Sequence, residues 1–305
     1  VDNCIKATKA AAEKREKEFW PRRKALLDNL VLPEFGSALK AMPKKTMKLL
    51  GDGLTFGVFQ LGSSGITRYL KELRPQNIFD IMAMIALYRP GPMGIIPEYI
   101  LRRHNSSQIK YFDPRMRDYL ERSLGLLVYQ DDVLLTAINI AGYTWEEADK
   151  LRKAMGKKIP EEMAKQEVKF IEGCVSGGMT QQKADSLFKL IEPFAAYGFG
   201  KAHAASYSMV SYQTAYMKAN YPVEFMAAVM TAESGDEDKI YAAVDECKSL
   251  QIEVLPPDVN ESQGDFTVVS DKVIRFGLNA IKNLGSDVVS QIIAENKNGK
   301  DPFVD

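Results

Sequence analysis

The chain has 305 residues, enough for two modest domains or one large one with a substantial core. Hydrophobic residues make up 46% and charged residues 26%, ordinary globular usage that argues against disordered and fibrous classes. With 40 Lys and Arg against 40 Asp and Glu the formal net charge is zero, so any site for an anion or nucleic acid must be a local cluster.

Residues 1–50 are rich in Lys, Arg, Glu and Ala (KATKAAAEKREKEF) and read as a basic helical arm broken at Trp20-Pro21. A solvated helical face explains such a run; so does a contact to phosphate or to another domain. From Leu54, LTFGVFQL alternates as a strand does and stops at Gly62-Ser63-Ser64-Gly65, and ITRYLKEL then predicts a helix that ends before Pro75. Asn77 opens a helix, NIFDIMAMIALY, that is apolar nearly all round and therefore buried. Arg89-Pro90-Gly91-Pro92 then imposes a stiff extended turn. GLLVYQ reads as a second strand, and DDVLLTAINIAG as a helix N-capped by Asp131 or Asp132. Thr144 and Glu147 have capping-box spacing for a helix closed by Gly156, and Pro160 opens another that ends near Gly173. Thr180 caps a helix through Ile191, and a long helix follows from about Ala202 to Asn220. VLPPDVN is extended, FTVV-SDK-VIRF is a hairpin, and LGSDVVSQIIAEN is a last helix. The fold class is mainly α with small β elements.

Three clusters carry candidate chemistry. In YGFGKAH, a helix starting after Gly200 turns unpaired N–H groups and its positive end toward Lys201, and His203 and Tyr207, four residues apart, share a face. That arrangement suits a phosphate; a solvated Lys201, a core-bonded His203 and a packed Tyr207 are the alternative. In LRKAMGKKIP, Arg152, Lys153, Lys157 and Lys158 gather at a helix C-terminus in greater number than its dipole needs, and a triphosphate or a nucleic-acid backbone would neutralise them. In Tyr88-Arg89-Pro90-Gly91-Pro92, the stiff loop holds the Arg89 guanidinium either as an oxyanion clamp or in a structural ion pair.

No GxxxxGK[ST] loop and no compact carboxylate cluster for Mg²⁺ is evident, Asp131-Asp132 reading as a cap, not a metal pair. His104, in RRHNSSQ, reads as a surface-loop residue without chemistry. Cys4, Cys174 and Cys247 are odd in number, far apart and free of CxxC spacing, which indicates neither a disulfide framework nor a zinc site. With no signal-peptide core and no apolar run near the roughly 20 residues of a membrane span, a soluble cytoplasmic protein is expected.

Taken in order, GVFQLGSSGITRYLKELRP, IALYRPGPM, GLLVYQDD, LRKAMGKKIPEEMAKQ, YGFGKAHAASYSMVSYQTAYMKANYPVEFMAAVM and LPPDVN closely resemble consecutive blocks of the bacterial replicative DNA polymerase III alpha subunits, the C-family polymerases, from about residue 44 to the end. The resemblance implies a helical fingers domain over 44–250, then a β-hairpin and the start of a helix-hairpin-helix DNA-binding module over 251–305, with 1–43 an unassigned arm. It implies a pocket for the incoming deoxynucleoside triphosphate formed by Arg89, Arg152, Lys153, Lys157, Lys158, Lys201, His203 and Tyr207, and DNA contacts at Lys282, Asn283 and Gly285 in AIKNLGSD. In this sequence Lys153 stands where the family has a second arginine, Gly62 where glutamate is common, and Asp131-Asp132 where Glu-Gln is frequent.

The family's palm aspartates have no counterpart here, so Mg²⁺ is expected for the whole polymerase with no ligands in this chain, and this chain by itself is not expected to polymerise DNA. The function implied is one part of a DNA-directed DNA polymerase, a nucleotidyltransferase. Its implied partners are deoxynucleoside triphosphate, primed template DNA, and a palm on another chain or in the rest of the same polymerase. Replisome components such as the sliding clamp would be reached through segments not found here. The competing function is a non-catalytic DNA-binding module that uses the basic arm and hairpin unit.

Overall fold

A computed structural model describes residues 42–157, 160–197 and 199–297; the arm's helical reading before residue 42 lies outside them, as does Lys158. Among the described residues the protein is mainly helical with one small sheet, as the sequence predicts. The helices are α1 (Lys44–Gly51), α2 (Ser64–Leu73), α3 (Ile78–Leu87), α4 (Ile96–His104), α5 (Arg117–Leu120), α6 (Gln130–Ala141), α7 (Trp145–Lys157), α8 (Pro160–Ser176), α9 (Gln181–Tyr197), α10 (Lys201–Asn220), α11 (Pro222–Ala232), α12 (Glu237–Ser249) and α13 (Ser286–Lys297). The described residues divide into two compact units, 42–67 with 210–297, and 68–209, the division falling inside α2 and α10. No described helix is long and apolar enough to cross a membrane.

In the first unit, α11 buries nearly its whole length, and Phe225, Met226, Met230, Ala243, Cys247 and Ile274 meet in one apolar core. The sheet has the order β1 (Glu253–Leu255), β3 (Val273–Arg275), β2 (Thr267–Ser270). The expected hairpin is the antiparallel β2–β3 pair, with a register shift between Val268 and Ser270, and the extended VLPPDVN start supplies a parallel third strand.

The strand expected at LTFGVFQL does not form. Gly57 (φ 74°) and Gln60 (φ 60°) are left-handed, and the segment turns twice, through Val58 N–H to Thr55 O (2.9 Å) and Leu61 N–H to Val58 O (3.2 Å). The buried positions recur every third residue, at Thr55, Val58 and Leu61, as successive turns place them, and not every second residue as in a strand. A Cβ on Gly57 would lie 2.9 Å from a Val229 methyl, so the left-handed turn also needs the smallest residue for packing.

That turn is pinned by a buried charge pair. Lys218 of α10 is wholly buried; its ammonium donates to Phe56 O (2.7 Å) and to Glu246 Oε1 of α12, which also accepts from Phe56 N–H (3.3 Å). Both backbone polar groups of one loop residue are thereby satisfied by an ion pair, although burial pushes the Lys218 pKa down.

In the second unit, α3 is buried as its composition predicts, and Asn77 caps it by accepting from Phe79 N–H and Asp80 N–H. Asp80 is buried with Arg103 (2.9 Å), the Tyr99 hydroxyl (3.1 Å) and Gln76 N–H (2.8 Å) as partners. After α3 the chain bends at Gly91 (φ 100°) and continues as a short 3-10 turn, Pro92–Ile95, where an extended turn was expected. Proline permits this because its fixed φ also suits the first position of a helical turn.

GLLVYQ is not a strand: only Tyr129 makes a β-bridge, parallel to Phe199. Neither Asp131 nor Asp132 is the N-cap of α6. The cap is Tyr129, and Asp132 at the third helical position reaches back to accept from Val128 N–H and Tyr129 N–H, both 2.9 Å. The expected Thr144–Glu147 box forms, through Thr144 N–H to Glu147 Oε2 (3.0 Å) and Glu147 N–H to Thr144 Oγ1 (3.3 Å). Gly156 lies inside α7 instead of closing it, and α9 runs beyond Ile191 to Tyr197. Gly173 does not end α8 either: a Cβ there would lie 2.1 Å from Ala141 O, so its smallness admits a close crossing with the end of α6.

Two predictions follow from these buried charges. Glu246→Leu strands the Lys218 ammonium and should cost about 3–5 kcal/mol in urea unfolding. Adding Lys218→Met should restore only part, because the Phe56 backbone then loses both partners. Burial raises the Asp132 pKa to about 6 despite its two backbone donors. Because that value is above the unfolded one, its contribution is full below pH ~4 and is lost as pH rises through ~6. The stability of Asp132→Asn relative to the unsubstituted protein should therefore rise by about 2–3 kcal/mol between pH 4 and pH 7.

Candidate nucleotide site

Four of the residues singled out in the sequence meet within the second unit. Segment 128–132 lies against segment 199–201: Tyr129 bridges Phe199, Gln130 N–H donates to Phe199 O (3.1 Å), and Lys201 N–H donates to Asp131 Oδ2 (2.7 Å). The bridge fixes Phe199 one turn ahead of His203 and two ahead of Tyr207. Residues 199, 203 and 207 then fall on one face. Ring centroids are 4.6 Å apart for Phe199 and His203, 4.1 Å for His203 and Tyr207, and 6.1 Å for Phe199 and Tyr207. On this group lies the Arg89 guanidinium, 4.0 Å from the Phe199 centroid. Arg89 makes no ion pair among the described residues, and both it and His203 are exposed. The Lys201 ammonium lies 5.5 Å from the Tyr129 ring.

For two residues this geometry sets aside one of the alternatives the sequence offered. His203 is an exposed stacking residue, not a core one, and Arg89 rests on an aromatic face in place of a carboxylate. A guanidinium over a ring face need not spend its N–H donors on the ring, which leaves them to meet an oxyanion.

Arg152 and Lys153 stand differently. Both pair with Asp149 on their own helix, Arg152 at 2.6 Å and Lys153 at 2.7 Å, so this part of the basic cluster carries its own counter-charge. Among the described residues no hydrogen bond or ion pair joins them to the Phe199 group. Lys157 is the last residue of α7.

In the first unit, Lys282 pairs with Glu237 at 3.1 Å, both well exposed. Asn283 is left-handed (φ 65°), a conformation asparagine tolerates, in the turn that leads through Gly285 into α13. A Cβ on Gly285 would meet nothing within 4 Å, so packing within the chain does not require glycine there; its absence leaves the backbone open to approach from outside. His104 closes α4 with its Nε2 2.9 Å from Glu72 O, at the surface but helical where a loop was expected.

Sequence reasoning missed Phe199, Tyr129 and the role of Asp131. Phe199 was detectable from its i, i+4, i+8 relation to His203 and Tyr207; the other two depend on contacts across about 70 residues, which spacing does not encode. The expected Mg²⁺ finds no donor set here: among the described residues no three His, Cys, Asp or Glu side chains are grouped to hold a metal. One oxygen of Asp131 and one of Asp132 are already held by backbone N–H groups.

A family profile described as the bacterial DNA polymerase III alpha subunit finger domain matches residues 7–178, beginning within the basic arm, and a helix-hairpin-helix motif profile matches 251–305. A DNA polymerase III subunit alpha of Thermus aquaticus is 46% identical over 260 residues, 84% of this chain and 21% of that protein. The Xylella fastidiosa subunit is 45% identical over 247 residues, 81% of this chain and 21% of its own length. For Borreliella burgdorferi the figures are 46% over 257 residues, 84% and 22%. The chain thus spans about a fifth of the length of these relatives, and with a finger-domain match across more than half of its residues it belongs to the bacterial DNA polymerase III alpha subunit family.

Proposed function

We propose that this chain forms the part of a replicative DNA polymerase that receives the incoming deoxynucleoside triphosphate and holds DNA. The observation that carries the reading is the Arg89 guanidinium on Phe199, beside the exposed His203 ring and Tyr207. Arg89 would take phosphate oxygens through its fixed pair of edge donors, and Lys201 would add a mobile point charge. His203 and Tyr207 offer ring faces to the sugar or base. Arg152 and Lys153 would join by exchanging the Asp149 carboxylate for phosphate, with Lys157 and Lys158 beyond them. Lys282, Asn283 and Gly285 would meet the DNA backbone. In the whole polymerase Mg²⁺ would supply activation of the primer hydroxyl and charge neutralisation at the leaving pyrophosphate, and its ligands would come from a palm on the same or another chain. What this chain's residues contribute is binding and orientation of the phosphates in a preorganised field.

Titration calorimetry with a deoxynucleoside triphosphate and Mg²⁺ tests this. Arg89→Ala and Lys201→Ala should each weaken binding about tenfold or more with folding intact, and Arg89→Lys should fail to restore it, since an ammonium lacks the planar fork. Unchanged affinity in folded variants would overturn the reading. Salt-sensitive DNA binding indifferent to nucleotide would point instead to a non-catalytic DNA-binding module.

A further inference from the structure

We propose that Asp131 is a positioning residue for the Arg89–Phe199–His203–Tyr207 group, an inference that rests on the nucleotide reading and adds a residue to it. Helix α10 has no capping side chain at its own start: Ala204 N–H donates to Gly200 O (2.9 Å), which makes the side-chain-less Gly200 the cap residue. The acceptor comes from 70 residues earlier in the chain, where Asp131 Oδ2 takes the Lys201 N–H at 2.7 Å. It is the second link between the two segments, the first being the Tyr129–Phe199 bridge with its Gln130 N–H to Phe199 O bond.

The two adjacent aspartates divide the work. Asp132 faces inward and fastens Val128 and Tyr129 to the start of α6, while Asp131 reaches across and fastens the start of α10 to α6. Since Phe199 precedes α10 and His203 and Tyr207 are on it, the Asp131 bond sets the rotation of that helix start relative to the bridge. It thereby sets whether His203 and Tyr207 share a face with the Phe199 ring on which Arg89 lies. Asp131 acts through the Lys201 backbone and does not itself touch nucleotide.

The chain has two histidines, His104 and His203, so the ring-proton NMR spectrum reads this directly. His203, between two aromatic rings at 4.1 and 4.6 Å, should show ring-current shifts, and His104, bonded to the Glu72 carbonyl, serves as a control in the same unit. In Asp131→Ala, and in Asp131→Ser, whose hydroxyl is too short to reach, the His203 resonances should move toward free histidine while His104 stays in place. Affinity for dATP with Mg²⁺ should fall about tenfold or more. Asp131→Asn, which keeps an acceptor oxygen, should restore both. Unmoved His203 resonances, unchanged dATP affinity, failure of Asn to rescue, or global unfolding of both short variants would each overturn the proposal. If the unsubstituted protein binds dATP in a Lys201-dependent way and Asp131 variants bind equally, the positioning role alone fails. If the unsubstituted protein binds no nucleotide, the site reading fails with it.

Discussion

The candidate site depends on the closure of residues 128–132 against 199–201. One β-bridge, made through the Gln130 N–H to Phe199 O bond, and one carboxylate cap join segments about 70 residues apart. Such a contact is entropically costly to form by chance, because the intervening chain must be ordered first. The intervening helices α6 to α9 supply that order, with Phe170 among the buried rings at their centre, 6.2 Å from Tyr143 and 5.6 Å from Phe188. The rings grouped with Arg89 are thus set by a packed helical group, and the charged ends are left exposed.

A second constraint operates in the other unit. A wholly buried lysine is expensive unless it is paired and fully hydrogen-bonded. Lys218 meets that condition by serving a structural purpose, since the turn at residues 55–61 has polar peptide groups that no sheet satisfies. The pair does for the Phe56 backbone what a neighbouring strand would do, and so permits an irregular segment to bury Val58 and Leu61.

These two features show which parts were legible in the sequence. Helices with strong local signals were: the buried α3 with its Asn77 cap, the Thr144–Glu147 box, and the long α10 beginning close to Lys201. The β-hairpin was legible too, because its pattern and turn are local. LTFGVFQL and GLLVYQ were not, since β-favouring residues and a short apolar run occur both in strands and in irregular segments that bury side chains, and only distant partners distinguish them. Glycine misled at 156, read as a stop although the position is helical; near Gly173 the helix runs three residues further, and the glycine serves a close crossing.

For the site, residue types were legible and partners were not. Counting four cations in LRKAMGKK implied an external anion, but Asp149, three and four residues ahead of Arg152 and Lys153, was already in helical register to pair with them. The pairing of Arg89 with an aromatic ring had no sequence signal, because Phe199 lies 110 residues away. The central claim is that this exposed ring-and-guanidinium group receives the nucleotide. The most direct test is to titrate the protein with a deoxynucleoside triphosphate and Mg²⁺ while following the ring protons of its two histidines. The account predicts a saturable shift of His203 with His104 unmoved; no shift at His203, or equal shifts at both, would contradict it.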